Sequence, residues 1–219
     1  MCVTYLMPTA PLEDDAFFWD RYHRLSPDRQ EKIDRFIFPK DKQLSLAAGL
    51  AFQAGLADYG LREQQLTIAD DQNGKPYLPE YPDLFFNIAH SEQLAICAFS
   101  NREIGTDVEK VTTIDLELAR RFFADAEYRD IIAADCPEEA FYDYWVLKES
   151  YMKATGLGFQ LSLDAFRIAR EDALLKDQFR VYQDNIQMPY RFYLTTVFEN
   201  YKLAVCTKGN PPEMKLRFL

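Results

Sequence analysis

The sequence has few cysteines and no apolar run long enough to cross a membrane. Its 219 residues include four cysteines: Cys2, Cys97, Cys136 and Cys206. None of them forms a C-x-x-C pair, so we expect free thiols in a reducing compartment and no cysteine metal site. The most apolar stretch, residues 44–61, contains Gln53 and Asp58 and falls short of the roughly 20 residues that a membrane span needs. It predicts a buried helix.

Positive charge is also scarce, with 25 lysines and arginines against 35 acids and a net charge of −10. General nucleic-acid binders are normally basic, so this balance argues against a nucleic-acid partner. An anionic ligand would need a local cluster of cations. The first ten residues carry no charged segment followed by a long apolar one, so they indicate no signal peptide, and we predict a cytoplasmic protein without a membrane partner.

The composition is typical of a folded domain, with 48% hydrophobic, 27% charged and 15% aromatic residues. Two similar apolar segments, Leu94–Cys97 and Leu203–Cys206, lie about half the chain length apart. Each follows an apolar strand and a short polar turn, which favours an internal duplication. Two unrelated hairpins remain the alternative.

Each half is predicted to contain helices followed by an antiparallel sheet. Ser26-Pro27-Asp28 is a helix start with a capping hydroxyl and proline in the first turn, and this helix is expected to run toward Phe38. The other predicted elements are a helix from Lys42, strands 84–89, 94–99 and 104–109, helices 115–123, 126–134 and 138–155, and strands 165–169, 178–182, 191–198 and 202–207. The fold class is therefore α+β, a pseudo-dimer of an N-terminal lobe (1–103) and a C-terminal lobe (104–219). One chain would supply both walls of a cleft between the two lobes, so we expect a monomer.

A candidate site lies where strand 104–109 meets helix 138–155. Side chains at i and i+2 of a strand share a face, so Asp107 and Glu109 point the same way. On the helix, Glu149 and Lys153 are four residues apart and stack on one stripe with Trp145, while Lys148 lies about 100° round from Glu149 and can border the same cleft.

Three carboxylates and two lysines suit a magnesium ion that is completed by phosphate oxygens. Each part has an ordinary alternative, because D-x-E is common on strands and Lys–Glu pairs on helices are usually solvated. Only the combination and its spacing point to phosphoryl chemistry.

Four motifs resemble the large, two-lobed class of 4′-phosphopantetheinyl transferases, the class that activates surfactin synthetase, over nearly the whole chain. They are Gly74-Lys75-Pro76, Phe86-Asn87-Ile88-Ala89-His90-Ser91, Ile104-Gly105-Thr106-Asp107-Val108-Glu109 and Trp145-Val146-Leu147-Lys148-Glu149-Ser150-Tyr151-Met152-Lys153. The resemblance implies two α+β lobes with coenzyme A in the cleft between them.

The resemblance also implies roles for individual residues. Asp107, Glu109 and Glu149 match magnesium ligands, and Lys148 and Lys153 fall where the family contacts the phosphates beside pantetheine. The positions that match its contacts to the 3′-phosphate and the adenine end are Arg29, Lys32, Lys75 and His90. The implied reaction transfers phosphopantetheine from coenzyme A to a serine of an acyl or peptidyl carrier protein, with Glu149 and Lys153 as catalytic residues. Either Glu149 or a metal-bound water would be the general base.

The sequence departs from the family pattern at the 3′-phosphate. Gln43 and Leu44 stand where the family usually has an arginine, and Ala89 stands where it usually has a serine before the histidine. Both changes imply a weakened grip on that phosphate, eased by Lys40 or Lys42.

Two other functions remain open from the sequence. A non-catalytic relative that binds carrier proteins or coenzyme A would not need the three carboxylates. An unrelated magnesium-dependent phosphodiesterase would not explain His90 or the Trp-Lys-Glu-Lys helix. The resemblance also suggests that the carrier docks near residues 120–123, but the pathway of that carrier, fatty acid, polyketide or nonribosomal peptide, is not encoded in any motif.

Overall fold

The computed structural model describes residues 2–171, 178–210 and 213–219. Its α-helices are α1 (Asp15–Tyr22), α2 (Pro27–Asp34), α3 (Pro39–Asp58), α4 (Glu117–Phe122), α5 (Asp125–Ile132) and α6 (Pro137–Thr155). Its strands are β1 (Cys2–Pro8), β2 (Ala69–Asp70), β3 (Pro76–Tyr77), β4 (Phe85–Ser91), β5 (Leu94–Ser100), β6 (Ile104–Lys110), β7 (Arg167–Arg170), β8 (Phe179–Gln183), β9 (Ile186–Gln187), β10 (Tyr190–Val197), β11 (Tyr201–Lys208) and β12 (Met214–Phe218). Within the described ranges, the helices are too short or too polar to span a bilayer.

The N-terminal lobe packs α3 against a sheet in the order β12-β1-β5-β4. The helix begins with Pro39 at its first position and is apolar nearly all round, which is typical of a buried helix. Its Phe52 stacks on Phe99 of β5. Gly55 permits this contact, because a Cβ there would lie 2.0 Å from the Phe99 ring. The prediction of a buried helix at 44–61 is confirmed as far as Asp58, where the helix ends.

The C-terminal lobe packs α6 against a sheet in the order β10-β11-β6. The helix ends at Gly156, whose φ of 69° is the left-handed C-cap that glycine adopts without strain. A second sheet, β7-β8-β9, contributes Ile168, Phe179 and Val181 to the same core. The described part of the chain also contains the short hairpin β2-β3.

The two lobes repeat one arrangement. In each, a long helix packs on three antiparallel strands, in the order β1-β5-β4 in one lobe and β6-β11-β10 in the other. The central strand is in both cases the second strand of a tight hairpin. The similar segments Leu94–Cys97 and Leu203–Cys206 occupy the two central strands. The predicted α+β fold of two similar lobes is confirmed, and the common order favours duplication.

Several elements differ from the sequence-based expectation. The helix from Ser26 ends at Asp34 and does not reach Phe38. Phe38 precedes a proline and is extended (φ −87°, ψ 136°), as residues before proline prefer. The next helix therefore begins at Pro39 and not at Lys42. No element was predicted for β1, α1 or β12. The last of these pairs in parallel with β1 and so joins the sheet of the other lobe.

The lobes meet through a shared apolar core. Leu6 and Ile96 of the first lobe pack in one cluster with Val108 and Leu203 of the second, and all four side chains are fully buried. The Asn87 side chain accepts a hydrogen bond from the Thr106 backbone amide at 2.8 Å, which ties β4 to β6. Strand β6, the first of the second lobe, is therefore held directly against β4 of the first lobe.

Gly105→Ala is expected to destabilise the protein by about 3 kcal/mol or more, because the new Cβ would overpack the lobe. It would lie 2.1 Å from the Ser150 carbonyl oxygen and 2.2 Å from the Ala154 nitrogen, both backbone atoms of α6. Gly49→Ala in α3 is the control, because its Cβ would meet side chains and no backbone atom: Arg29 at 3.0 Å and Leu25 at 3.3 Å. Urea unfolding of both variants measures the difference, and equal midpoints would contradict this packing.

Candidate active site

Two carboxylates project from β6 toward α6. Asp107 is 4% exposed, and its Oδ1 accepts a 2.6 Å hydrogen bond from the Lys153 ammonium. Glu109 Oε2 accepts from the Ser91 hydroxyl at 2.6 Å, and Ser91 Oγ also receives the Lys110 backbone amide at 3.2 Å. The predicted shared face of Asp107 and Glu109 is observed, and Val108 between them points into the core between the lobes.

The last turns of α6 bring Glu149 and Lys153 to the same place. Lys153 joins Asp107 in an ion pair. Glu149 is half-buried one turn earlier and lies close enough that its charge acts on both Asp107 and Glu109. Trp145, on the same stripe, packs in the core against Phe141. The structure thus brings together four of the predicted residues: Asp107, Glu109, Glu149 and Lys153.

Burial makes these carboxylates reluctant to ionise. It raises the pKa of Asp107 to about 7, with the Lys153 charge and hydrogen bond acting in the opposite direction and Glu109 and Glu149 adding repulsion. Burial also raises the pKa of Glu109, although the Ser91 hydrogen bond and Lys153 partly offset it. A cation placed among the three acids would relieve both the burial cost and the repulsion.

The donor set fits a hard cation in chemistry. Asp107 Oδ2 is buried and has no hydrogen-bond partner among the described residues, which leaves one carboxylate oxygen free to ligate. Oxygen donors are those that magnesium prefers. Across residues 2–171, 178–210 and 213–219, no three His, Cys, Asp or Glu side chains are already drawn together at the spacing of a metal site. The magnesium site stays a prediction.

Lys148 is placed away from this cluster, which contradicts the expectation that it borders the cleft. Its side chain is fully buried in the C-terminal lobe, where the ammonium pairs with Glu127 at 2.9 Å. It also donates to the Leu163 and Phe166 carbonyl oxygens at 2.7 and 2.8 Å. The rotation of about 100° from Glu149 turns Lys148 into the core instead of along the cleft, so its three donors serve the lobe itself.

A cavity of about 390 Å³, here called the basic cavity, opens beside Lys153. Its lining includes three of the bases predicted from the first lobe and one from the second: Arg29, Lys32, His90 and Lys153. Phe36 and Leu44 form part of its apolar wall. Desolvation lowers the pKa of His90, and the Lys153 charge acts in the same direction. The structure therefore assembles three of the four residues expected at the 3′-phosphate and adenine end.

A second cavity of about 260 Å³, here called the helix-end cavity, lies on the other side of Lys153 and Pro76, which line both. Its lining is mostly uncharged and includes Asn87 and Met152, with Glu149 at its wall. The two cavities adjoin at the lobe junction, where Lys153 and Pro76 line both.

Lys75 borders the helix-end cavity, but its ammonium is engaged by the protein. It donates to the Ile104 and Ala154 carbonyl oxygens at 2.9 and 3.0 Å, joining the turn before β3 to β6 and α6. Burial lowers the pKa of Lys75. Two of the three N–H donors of Lys75 therefore hold the lobes together. Only the third is left for the predicted contact with the 3′-phosphate and adenine end, which stays a prediction.

Sequence reasoning gave no role to three residues that shape the cleft. Ser91 fixes Glu109, Asn87 links the two lobes, and Glu63 pairs with Arg29 at 2.9 Å. Ser91 and Asn87 lie in the motif that runs from Phe86 to Ser91, so membership of that motif could have pointed to them. Glu63 comes from a 3-10 turn far along the chain from Arg29, so only the folded structure shows the pair.

Asp107→Asn is expected to stabilise the metal-free protein at pH 8 by about 1–3 kcal/mol, because it removes a buried charge. Because the folded pKa of about 7 lies above the ordinary aspartate pKa of 3.8, the wild-type penalty is complete above pH 7. It declines as the pH falls from 7 to 3.8 and is gone below that range. Urea unfolding in EDTA at pH 8 and pH 5 measures the difference, and a variant no more stable than wild type at pH 8 would contradict the raised pKa.

The fold and the site define a two-lobed α+β protein with acids and lysines clustered where the lobes meet. Comparison with known families matches the 4′-phosphopantetheinyl transferase superfamily over residues 103–206. The N-terminal region of 4′-phosphopantetheinyl transferases matches over residues 13–102. Two separate matches therefore account for most of the chain.

Individual relatives agree. The 4′-phosphopantetheinyl transferase Sfp of Bacillus subtilis (strain 168) is 36% identical over 193 residues, which cover 83% of this chain and 81% of that protein. The 4′-phosphopantetheinyl transferase gsp of Aneurinibacillus migulanus is 30% identical over 186 residues, covering 84% and 76% of the two chains. The protein belongs to the 4′-phosphopantetheinyl transferase superfamily and is an enzyme of that family. The resemblance stated from the four motifs is confirmed.

Proposed function

We propose that the protein transfers the 4′-phosphopantetheine group of coenzyme A to a serine hydroxyl of an acyl or peptidyl carrier protein, converting the apo form to the holo form. The observation that best supports this is Lys153, which stands between a basic and a mostly neutral cavity and contacts the Asp107 carboxylate at 2.6 Å. A diphosphate that links a charged nucleotide to an uncharged arm matches this division.

The basic cavity is proposed to take the nucleotide end of coenzyme A. Lys32 and His90 meet the phosphate charge, and the apolar wall at Phe36 and Leu44 offers contact to the adenine. The helix-end cavity takes the pantetheine arm, for which Asn87 supplies an amide and Met152 an apolar surface. Each end of the donor then meets side chains of its own polarity.

Asp107, Glu109 and Glu149 are proposed to hold a magnesium ion, which when bound neutralises the diphosphate and stabilises charge on the transferring group. Lys153 is the point charge that holds the remaining phosphate oxygens. Its present hydrogen bond to Asp107 keeps the ammonium at the junction of the two cavities, and Ser91 keeps Glu109 oriented toward α6.

The step is an in-line displacement at the β-phosphorus. A bond forms from the serine Oγ to phosphorus, and the bond from phosphorus to the bridging oxygen of the α-phosphate breaks. Adenosine 3′,5′-bisphosphate leaves with that bond's electron pair. Serine needs a base, and Glu149, half-buried at the wall of the helix-end cavity, is proposed to accept its proton.

The carrier is proposed to dock near residues 120–123, of which only some are exposed. Phe123 is buried against Phe141 and Trp145 and is not available to a partner. Arg120 is exposed, as is Leu118 two residues earlier. The proposed contact therefore uses Arg120 on the exposed side of α4, where a cation meets an acidic carrier. The chain itself contributes both walls of the cleft, which supports a monomeric enzyme.

Intact mass of an apo carrier protein incubated with the enzyme, coenzyme A and magnesium tests the proposal. The carrier is expected to gain about 340 Da, one phosphopantetheine group, and Asp107→Ala is expected to abolish the gain. No gain on fatty-acid, polyketide or peptidyl carriers despite coenzyme A binding would favour the non-catalytic reading. Cleavage of coenzyme A without a carrier would favour a phosphodiesterase.

A further inference from the structure

The basic cavity has less free positive charge than its lining suggests. The Arg29 Nε donates to Glu63 Oε1 at 2.9 Å, and the two side chains are only 12% and 2% exposed. At this distance and burial, the carboxylate cancels most of the field that the guanidinium projects into the cavity. Arg29 therefore contacts the cavity as one half of a neutral pair.

Glu63 is fixed in this position from two directions. Its other oxygen, Oε2, accepts a 2.9 Å hydrogen bond from the Gln53 amide of α3. Its backbone belongs to the 3-10 turn Glu63–Gln65, which follows that helix. A carboxylate with both oxygens engaged and almost no solvent contact does not swing away when a ligand arrives, so the neutralisation is built into the cavity.

The remaining walls do not replace the lost charge. Leu44 and Phe36 are apolar, and Asp41 adds an acid. Lys153 is engaged with Asp107. Of the described residues that line the cavity, Lys32 and His90 are the bases left without an ion pair. That is little for a donor whose 3′-phosphate carries close to two negative charges at neutral pH.

Resting on the proposed function, we infer that Glu63 is a donor-selectivity residue: by neutralising Arg29 it lets the enzyme use 3′-dephospho-coenzyme A nearly as well as coenzyme A. The bond changes are the same for both donors. Coenzyme A releases adenosine 3′,5′-bisphosphate, whereas the dephospho form releases adenosine 5′-monophosphate. The substrate class is thus a pantetheine-linked adenosine diphosphate with or without a 3′-phosphate.

The test measures kcat/KM for both donors with the full chain, magnesium and an apo carrier protein, following holo-carrier by intact mass and the nucleotide product by chromatography. Wild type is expected to favour coenzyme A by less than about tenfold, roughly 1.4 kcal/mol. E63Q keeps a hydrogen-bonding oxygen but frees the Arg29 charge. It is expected to raise that preference at least about fivefold, through a lower KM for coenzyme A.

E31Q is the matched control. Glu31 pairs with Arg35 at 2.6 Å on the same helix as Arg29, but both side chains are exposed and neither lines the basic cavity. This variant is expected to leave the donor preference unchanged. L44R adds a cation to the lining of the same cavity and is expected to raise the preference as E63Q does, which keeps the test available if E63Q does not fold.

A wild-type preference of a hundredfold or more for coenzyme A, about 2.7 kcal/mol, would overturn the inference while leaving the proposed function standing. So would an unchanged preference in folded E63Q. Transfer from neither donor would reject the proposed function itself, and with it this inference.

Discussion

Glu149→Gln is expected to lower kcat/KM for phosphopantetheine transfer by about 10²–10⁴-fold, the range that a general base contributes. The amide keeps the shape of the carboxylate but cannot take the serine proton, and it removes one of the three negative charges beside Lys153. Glu149 is half-buried and forms no ion pair with the described residues. The fold is therefore expected to remain, with an unfolding midpoint close to that of wild type.

Single-turnover transfer to an apo carrier measures this effect, with coenzyme A binding measured separately. Glu138→Gln, in the first turn of the same helix, is the control and is expected to retain transfer. Substantial turnover of the Glu149 variant would reject Glu149 as the base and leave the metal-bound water of the sequence-based hypothesis. Loss of transfer together with loss of folding would indicate a structural role instead.

Lys148→Met is expected to destabilise the protein by about 3–5 kcal/mol, the cost of leaving one partner of a buried pair uncompensated. Methionine replaces the stem of the side chain but leaves the Glu127 carboxylate buried without its cation. It also removes the hydrogen bonds that the ammonium donates to the Leu163 and Phe166 carbonyl oxygens. The Phe166 ring, 4.3 Å from the ammonium, loses a cation–π contact as well.

Urea unfolding of Lys148→Met, Glu127→Gln and the double variant separates the pair from its surroundings. The double variant is expected to lose less stability than the two single variants added together, because replacing both partners leaves no unpaired buried charge. A stable Lys148→Met enzyme with a raised KM for coenzyme A would contradict the buried role. It would restore the sequence-based expectation that Lys148 contacts phosphate.

The contrast between Lys148 and Lys153 shows where reasoning from helical spacing stops. Periodicity placed Glu149 and Lys153 on one stripe. In the structure Lys153 contacts Asp107 of β6, and the charge of Glu149 acts on both acids of that strand. The same geometry allowed Lys148 to face either the cleft or the core, because a position 100° away lies at the edge of both. Only Glu127, which reaches Lys148 from another helix, α5, decides for the core.

The strand motif behaved differently, because a period of two leaves no such ambiguity. Asp107 and Glu109 share a face as predicted, and Gly105 permits a close approach of neighbouring backbone to the strand. What the motif did not reveal is that α6 is the backbone that approaches, or that the approach buries Asp107 deeply enough to raise its pKa to about 7.

The sequence by itself determined the two-lobed α+β fold, the position of β6 and α6, and the grouping of Asp107, Glu109, Glu149 and Lys153, because these follow from local periodicity and motif spacing. Tertiary structure decided which cations remain free, since a charge is cancelled by whichever residue packs beside it. Glu63 neutralises Arg29 from 34 positions away in the chain, and Lys75 donates hydrogen bonds to two backbone carbonyl oxygens. Such pairings depend on how separate elements meet in space, which no local pattern of residues records.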